Sequence, residues 1–439
     1  MTVREMKAAA CAAIDNHREE LIELARSIER EPELGYKEFK TAAKIKAKLD
    51  ELGFGYRDGV AVTGIVTPVK GRNHYAKVAL MGELDAVIVP GCPTADPVTR
   101  AAHCCGHNAQ AASVMAIAYA LKDTGIMNEL DGDIVLMHVP AEEFVELEYR
   151  KSLIDEGKIK LLGGKQEFIR LGVMDDIDAM IMQHSAPVRE MGGKTIFADP
   201  GGEEGHGFVG RMVRYIGKEC HVLSPWEGVN ALKAAQIGLA AVDAQGETFA
   251  PQDDIRVHPI ITKGGDLVNV VPADVRIETY VRGASTEAIL DAAVKVDRAF
   301  RAGADAIGAE VSITNLPGYM CPIDCPPLKE LVCGNLNDLF GEEHVDPEGC
   351  GDCTDAYDVG HILPTVHMHI GGAVGAEHRA DFKIADPQMA ILDAAKAMVC
   401  SAIDLLADGA EKALTIKKSW KPAMTKEEYL TKWCGLESR

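Results

Sequence analysis

No window of the 439-residue sequence approaches the roughly 18 continuous apolar residues that a membrane-spanning helix needs. An excess of basic charge is missing as well. Lys+Arg 46 stand against Asp+Glu 67, a formal net charge of −21. A surface of that sign repels phosphate backbones and anionic membranes, which argues against nucleic-acid and membrane partners. An anionic small molecule would need a local cationic group or a metal. The opening stretch MTVREMKAAACAAIDNHREELIELA has neither the basic start nor the apolar run of a secretion signal and reads as an acidic amphipathic helix. The expected compartment is the cytoplasm. There the twelve cysteines stay mostly as thiols rather than forming a disulfide framework. Internal repeats and low-complexity tracts are also missing.

What is present is the composition of a globular protein, 47% hydrophobic and 26% charged. At about 150 residues per domain, the length suggests two or three domains. Helical periodicity covers residues 5–28 and 38–52, with Gly53 placed to end the second helix. Apolar runs starting at Val78, Asp133, Ala179 and Val366 read as buried strands. Separated by helical stretches, they predict an α/β architecture with a largely parallel sheet. Each run leads to ligand-type side chains: Glu83 and Asp85, Glu142 and Glu143, His184, and His378. The carboxyl edge of an open α/β sheet is where such folds place their sites.

Between about 208 and 320 the pattern changes to strand, helix, strand, strand, helix, strand, a split βαβ unit inserted into the first domain. The expected division is 1–207 and 321–439 for a core domain and 208–320 for the insert. From Thr415 onward, a stretch holding two of the three tryptophans reads as a docked helical tail.

The stretch AAHCCGHNAQAA places Cys105 and His107 around a glycine, with Asn108 as the expected cap of the helix that follows. A thiolate and an imidazole suit Zn²⁺, Mn²⁺, Co²⁺ or Ni²⁺ better than Mg²⁺ or Ca²⁺. The alternative is a buried thiol and a satisfied histidine at a helix start. In the PAEE segment, Glu142 and Glu143 follow a buried strand directly, a costly place for carboxylates without a cation or metal. Adjacent side chains point in different directions, so one can ligate while the other takes a proton from water. A solvated acidic loop is the plain alternative. A cysteine-nucleophile hydrolase using Cys105 and His107 is a weaker rival, because i,i+2 neighbours are poorly placed for such a pair. Cys350 with Cys353 and Cys321 with Cys325 have spacings open to a structural zinc site, against the simpler reading of ordinary thiols.

The ordered set GELDAV, HCCGHNAQAA, VPAEE, QHSAP, GKECHVLSPWEGVNALKAA, GGDLVNVVPADVRIETYVR, CTDAYDVG and GAEHRADF resembles the aminoacylase and carboxypeptidase-type metallohydrolases of peptidase family M20. The subgroup it is most similar to contains p-aminobenzoyl-glutamate hydrolase and the auxin-conjugate hydrolases. The resemblance runs from PELGYKE, near Glu33, past His378. It implies that Cys105, His107, Glu143, His184 and His378 ligate one or two divalent ions, Mn²⁺ or Zn²⁺ first and Co²⁺ or Ni²⁺ next. Glu142 would be the general base and then the general acid, and Asp85 a supporting residue. The insert would be a ferredoxin-like dimerisation or lid domain. In it, His221 would polarise the scissile carbonyl, and Asn269 and Arg282 would hold the substrate's carboxylate or carbonyl.

The implied activity is hydrolysis of the amide C–N bond of an N-acyl or N-aroyl amino acid or small peptide, in a homodimer or higher homo-oligomer. Hydrolytic deamination of an aromatic amine and a catalytically degenerate scaffold subunit are the alternatives. The chain departs from the family pattern in reading GHNAQ where many relatives read GHDGH, so that Asn108 replaces an aspartate and Gln110 a histidine. GELDAVIVP and QHSAP are also unusual, and His206 has no matching role.

Overall fold

The computed structural model describes residues 1–435 and divides into two compact units. Unit 1 comprises 1–203, 323–351 and 355–426; unit 2 comprises 204–322, 352–354 and the chain from 427.

In unit 1, the helices α1 (Val3–Asn16), α2 (Arg18–Glu29) and α3 (Phe39–Leu52) come first. One continuous helix over 5–28 is therefore not what forms. The chain breaks at His17 (φ −98°, ψ 13°), whose ring nitrogen lies 2.8 Å from an Asp123 carboxylate oxygen. Thr2 caps α1 through a capping box with Glu5, and Gly53 closes α3 in the left-handed conformation (φ 75°).

The strands of the main sheet are β1 (Arg57–Val60), β2 (Gly64–Val69), β3 (Lys77–Glu83), β4 (Asp133–Val139), β5 (Ala179–Pro187), β6 (Ala198–Asp199), β7 (Thr365–Val374) and β8 (Lys383–Ile384). Their order is β1-β2-β4-β3-β5-β7-β6, with β8 added on β7. The central run β4-β3-β5-β7 is parallel and the flanking pairings are antiparallel, so the sheet is mixed with a parallel centre. The strand VALMGE and its partners are continuous apolar runs because both faces are covered.

On one face, Val78, Leu80, Ile181, Val366 and Met368 join the core formed with α1, α2, α4 (His107–Thr124) and the helix Ala394–Leu406. The helix α4 is buried all round from His107 to Leu121, which its alanine-rich sequence permits. Because side chains alternate along a strand, His184 on β5 and His367 and His369 on β7 take the opposite face.

Unit 2 has a ferredoxin-like plan. The strand Gly207–Ile216 lies between Asp274–Gly283 and Glu310–Leu316, with Arg256–Val257 and Ile260–Lys263 on the outer side of Asp274–Gly283. All these pairings are antiparallel, and the helices Ala231–Ala244 and Thr286–Ile307 pack on the sheet. The stretch IRVHPIITKGG is expected as one strand. It is interrupted at His258–Pro259, since proline cannot donate to the ladder. From the tail, Trp433 is buried and donates its indole N–H to the Gly318 carbonyl at 3.1 Å. No described helix is long and apolar enough to cross a membrane.

Candidate metal centre

Four loops, the start of the helix α4 and the strand β5 build the site in unit 1. The loop after β3 brings Asp85, and the loop into α4 brings Cys105. Gly106 stands before α4 at φ 84°, and a Cβ there would lie 3.0 Å from that of Ser185. That turn makes His107 the first helical residue. Asn108 is therefore not the cap it was expected to be; it sits inside the first turn and donates to the Ala25 carbonyl at 3.3 Å. β4 leads to Pro140 and to Ala141, an alanine held at φ 57°, before Glu142 and Glu143. Gly164 makes this possible from below, since a Cβ there would meet the Pro140 carbonyl oxygen at 1.7 Å. His184 lies within β5, which runs on to Pro187, not beyond its end as the apolar run suggested. His378 stands in a loop at φ 60°, its N–H bonded to the Cys104 carbonyl at 2.9 Å.

These segments bring the donors together. Single ligand atoms of Cys105, His107 and His184 lie within 4.8 Å of one another, and so do those of Cys105, Glu143 and His378. Cys105 Sγ is 3.4 Å from His184 Nε2, and His378 Nε2 is 3.0 Å from Glu143 Oε1. Asp85 supports two of them. His107 Nδ1 is 2.9 Å from its carbonyl oxygen and 3.2 Å from Oδ1, and the Glu143 N–H donates to Oδ2 at 2.9 Å. With Nδ1 so engaged, His107 turns Nε2 toward the site, where it lacks a well-directed hydrogen bond although Glu83 Oε2 is 3.1 Å away. A buried imidazole nitrogen without a partner, next to a thiol, a carboxylate and further imidazoles, fits a divalent transition metal. Glu142, 8% exposed, groups with Glu83 and His107 within the same 4.8 Å limit.

The electrostatics follow from burial and crowding. Burial, then the neighbouring Glu83 and Glu143, push the Glu142 carboxyl well above the usual range. Burial, then Glu143 and Glu377, push the Cys105 thiol well up, so it is a poor nucleophile by itself; a bound cation would reverse that. Burial opposes the charge on Glu143, but His378 and His107 outweigh it and hold that carboxyl down. Burial also works against His107, and Glu83 and Asp85 more than compensate. His103 is fully enclosed with both ring nitrogens unpartnered, and burial brings its pKa to about 3.

The sequence reading missed the support beneath the centre. Lys165, on the helix α5 (Gly164–Arg170), is completely buried between Glu83 and Asp355, with Nζ 2.5 Å from Asp355 Oδ1. Gln110 Nε2 donates to Glu83 Oε2 at 2.7 Å. The unusual Gln110 and the glutamate of GELD thus touch each other, a signal present in the sequence; Lys165, in a plain GGK stretch, carried none.

The remaining expected residues belong to unit 2. His221 is exposed and bridges to Val270, and its Nδ1 accepts the Leu223 N–H at 3.2 Å. The Asn269 carbonyl accepts the Val222 N–H at 3.2 Å, so these two segments are neighbours. Arg282, on the strand Asp274–Gly283, lies over the Phe208 ring at 5.5 Å. His206 pairs with Asp254 at 2.7 Å. The described cysteines form no disulfide. Cys321 Sγ faces the Gly283 carbonyl at 3.6 Å, and Cys350 groups with Asp199 and His369.

Residues 79–403 match the sequence profile of peptidase family M20/M25/M40. The chain belongs to that family. Mouse Xaa-Arg dipeptidase is 26% identical over 418 residues, covering 91% of this chain and 89% of the relative. An Arabidopsis thaliana protein, IAA-amino acid hydrolase ILR1-like 4, is 26% identical over 282 residues, covering 63% of this chain and 59% of that protein. Among solved structures, the Bacillus subtilis YXEP protein, described as a dinuclear metal binding peptidase from the M20 family, matches with a TM-score of 0.62 at 20% identity. The match covers 89% of this chain and 99% of that one. The chain is accordingly a metal-dependent hydrolase of C–N bonds, built on the family's sheet-and-helix core with a ferredoxin-like insert.

Proposed function

We propose that the protein hydrolyses the amide bond of an N-acyl or N-aroyl amino acid or small peptide, with Cys105, His107, Glu143, His184 and His378 holding Mn²⁺ or Zn²⁺. The observation that carries this is the meeting of those donors in two triads that share Cys105, with a further carboxylate, Glu142, grouped with His107. When bound, a divalent cation supplies a Lewis acid that acidifies water and polarises a carbonyl.

The chain's own groups do the rest. Glu142 takes a proton from the attacking water and returns it to the departing nitrogen. Its raised proton affinity suits both steps. Asp85 fixes the ring of His107 and the backbone of Glu143, so neither reorganises during the reaction. His221 donates to the carbonyl oxygen as negative charge develops. Arg282 forms a fork on the substrate's carboxylate, with Asn269 assisting. Unit 2 acts as the lid and as the contact between the subunits of a homodimer, in the cytoplasm. The names of the Xaa-Arg dipeptidase and IAA-amino acid hydrolase relatives support a substrate with an amino-acid portion.

The test is a metal-supplemented screen of N-acyl amino acids, dipeptides and p-aminobenzoyl-glutamate, scored for both products. Release of an acid and an amine in equal amounts is expected. Ammonia released from an aromatic amine, with no amide cleaved, would replace this reading with hydrolytic deamination.

A further inference from the structure

The same sheet carries a second convergence of ligand-type atoms that shares no residue with the centre above. Asp199 on β6 is the direct cross-strand partner of His369 on β7. Cys350 reaches the same spot from the loop before the helix Ala356–Gly360. His369 Nδ1 lies 3.0 Å from Asp199 Oδ1 and 3.6 Å from Cys350 Sγ, and Sγ is 3.5 Å from Asp199 Oδ2.

Two geometries can be built from a cysteine, a histidine and an aspartate, and they are distinguishable. A nucleophilic relay needs the thiol at one ring nitrogen and the carboxylate at the other. Here the Cys350 thiol and the Asp199 carboxylate address the same nitrogen, Nδ1, so these three residues are not arranged as a relay. A tetrahedral ion requires three donors to face one point instead. With the usual bond lengths to zinc, the edges of that tetrahedron are about 3.3 Å for nitrogen to oxygen and about 3.6 Å for sulfur to nitrogen. The sulfur-to-nitrogen separation of 3.6 Å matches that edge; the carboxylate turns Oδ1 to the nitrogen at 3.0 Å and Oδ2 to the sulfur at 3.5 Å, and one ligand atom from each of the three residues lies within 4.8 Å of the others.

The surroundings support ligation. Arg189 holds Asp199 Oδ2 at 2.6 Å and the Gly201 N–H donates to Oδ1 at 2.9 Å, the kind of outer contacts that fix a ligating carboxylate. Asp199 and His369 are buried while Cys350 is half-buried, which leaves one side through which an ion and a fourth ligand can enter. The geometry points to a second metal site made by Asp199, Cys350 and His369, selective for a thiolate-preferring divalent ion such as Zn²⁺ or Co²⁺ rather than Mg²⁺ or Ca²⁺. Binding releases the thiol proton of Cys350 to solvent, so affinity rises with pH. The His369 ring centroid is 6.4 Å from that of His184, so the site adds an ion beside the first centre, using separate donors.

The experiment uses the full chain, reduced, stripped of metal and titrated with Co²⁺. Cys105→Ser removes the thiolate of the first centre. The sulfur-to-cobalt charge-transfer absorption that persists in this variant should vanish when Cys350→Ser is added. Cys350→Ser alone should lower bound zinc by about one equivalent, measured by elemental analysis on protein whose circular dichroism is unchanged. Asp199→Asn, which keeps the shape, should weaken cobalt binding at this site by about tenfold to a hundredfold. No thiolate band in Cys105→Ser, a band indifferent to Cys350→Ser, or unaltered cobalt affinity in Asp199→Asn would overturn the assignment. None of these outcomes depends on what the first centre hydrolyses.

Discussion

In unit 1, an ammonium and two carboxylates meet where no water reaches them: Lys165, Glu83 and Asp355 are each no more than 1% exposed. In unit 2, Asp274 meets Arg214 and Arg276 at the edge of a sheet, and the arginines remain 51% and 38% exposed. The contrast extends to the sheets themselves. The central strands of unit 1 are buried on both faces, whereas Asp274–Gly283 alternates buried and half-buried residues along its length. One unit uses charge in a dry interior, where it can position ligands; the other uses charge at the surface, where exchange is cheap. Most of the ligand-type atoms of the metal centre sit in the first kind of environment, and His221 and Arg282, to which the proposed function gives the substrate's carbonyl and carboxylate, belong to unit 2.

The sharpest way to break this comparison is to remove the buried cation. Lys165→Met strands two carboxylates and should cost about 3–5 kcal/mol of stability by urea denaturation. The matching Arg214→Met in unit 2 should cost less than about 1 kcal/mol. Equal losses would erase the distinction. Next, Glu142→Gln should lower kcat by about 10²- to 10⁴-fold for every substrate while metal content stays constant. His221→Ala, in unit 2, should lower kcat by about 10²-fold, and Arg282→Lys should act chiefly on KM for carboxylate-bearing substrates. A substrate-dependent Glu142 effect would blur the two roles.

A smaller effect comes from acid. Burial holds His138 neutral, with its pKa down at about 4, and only the Ala111 carbonyl favours its proton. An unfolded histidine titrates near 6.5, so the unfolded chain binds the extra proton first. The His138 contribution is complete above about pH 6.5 and is lost as pH falls toward 4, with a slope of at most about 1.4 kcal/mol per pH unit. His138→Gln should flatten that limb in a pH series of melting temperatures. Smallest is Asp274. Partial burial opposes its charge, but Arg214 and Arg276 outweigh it and hold its pKa at about 2. Its contribution is present above about pH 4 and disappears only as pH falls through 2. After discounting for solvent it amounts to less than about 1 kcal/mol, so Asp274→Asn should lower the curve by that small amount above about pH 4 and leave it unchanged below about pH 2.

The legible parts of this molecule were those that write themselves into periodicity or spacing. Apolar runs announced β3, β4, β5 and β7, and the strand-helix alternation from 208 announced the ferredoxin-like plan. Glu142, Glu143, His184 and His378 stood out as ligand-type residues near strand ends, and Cys105 and His107 as a pair around a glycine before a helix. Less legible was the break at His17, because amphipathic periodicity continues across it and the deciding contact, Asp123, is far away in sequence. The cap of α4 was misread because Gly106 takes over the turn that Asn108 was expected to make. Lys165 and Asp355, separated by 190 positions, meet only through tertiary packing, and no local pattern marks either one. The Asp199–His369 pair likewise depends on antiparallel pairing between β6, a two-residue strand, and β7.

Ala141 carries a consequence of its own. Holding an alanine at φ 57° costs on the order of 1 kcal/mol that a glycine would not incur. A random drift toward glycine at this position would make the folded chain easier to reach, yet it would also loosen the backbone that aims Glu142. The methyl group works like a detent in a latch, and a lineage selected only for robustness would be expected to lose it, and with it the fixed aim of the carboxylate that follows.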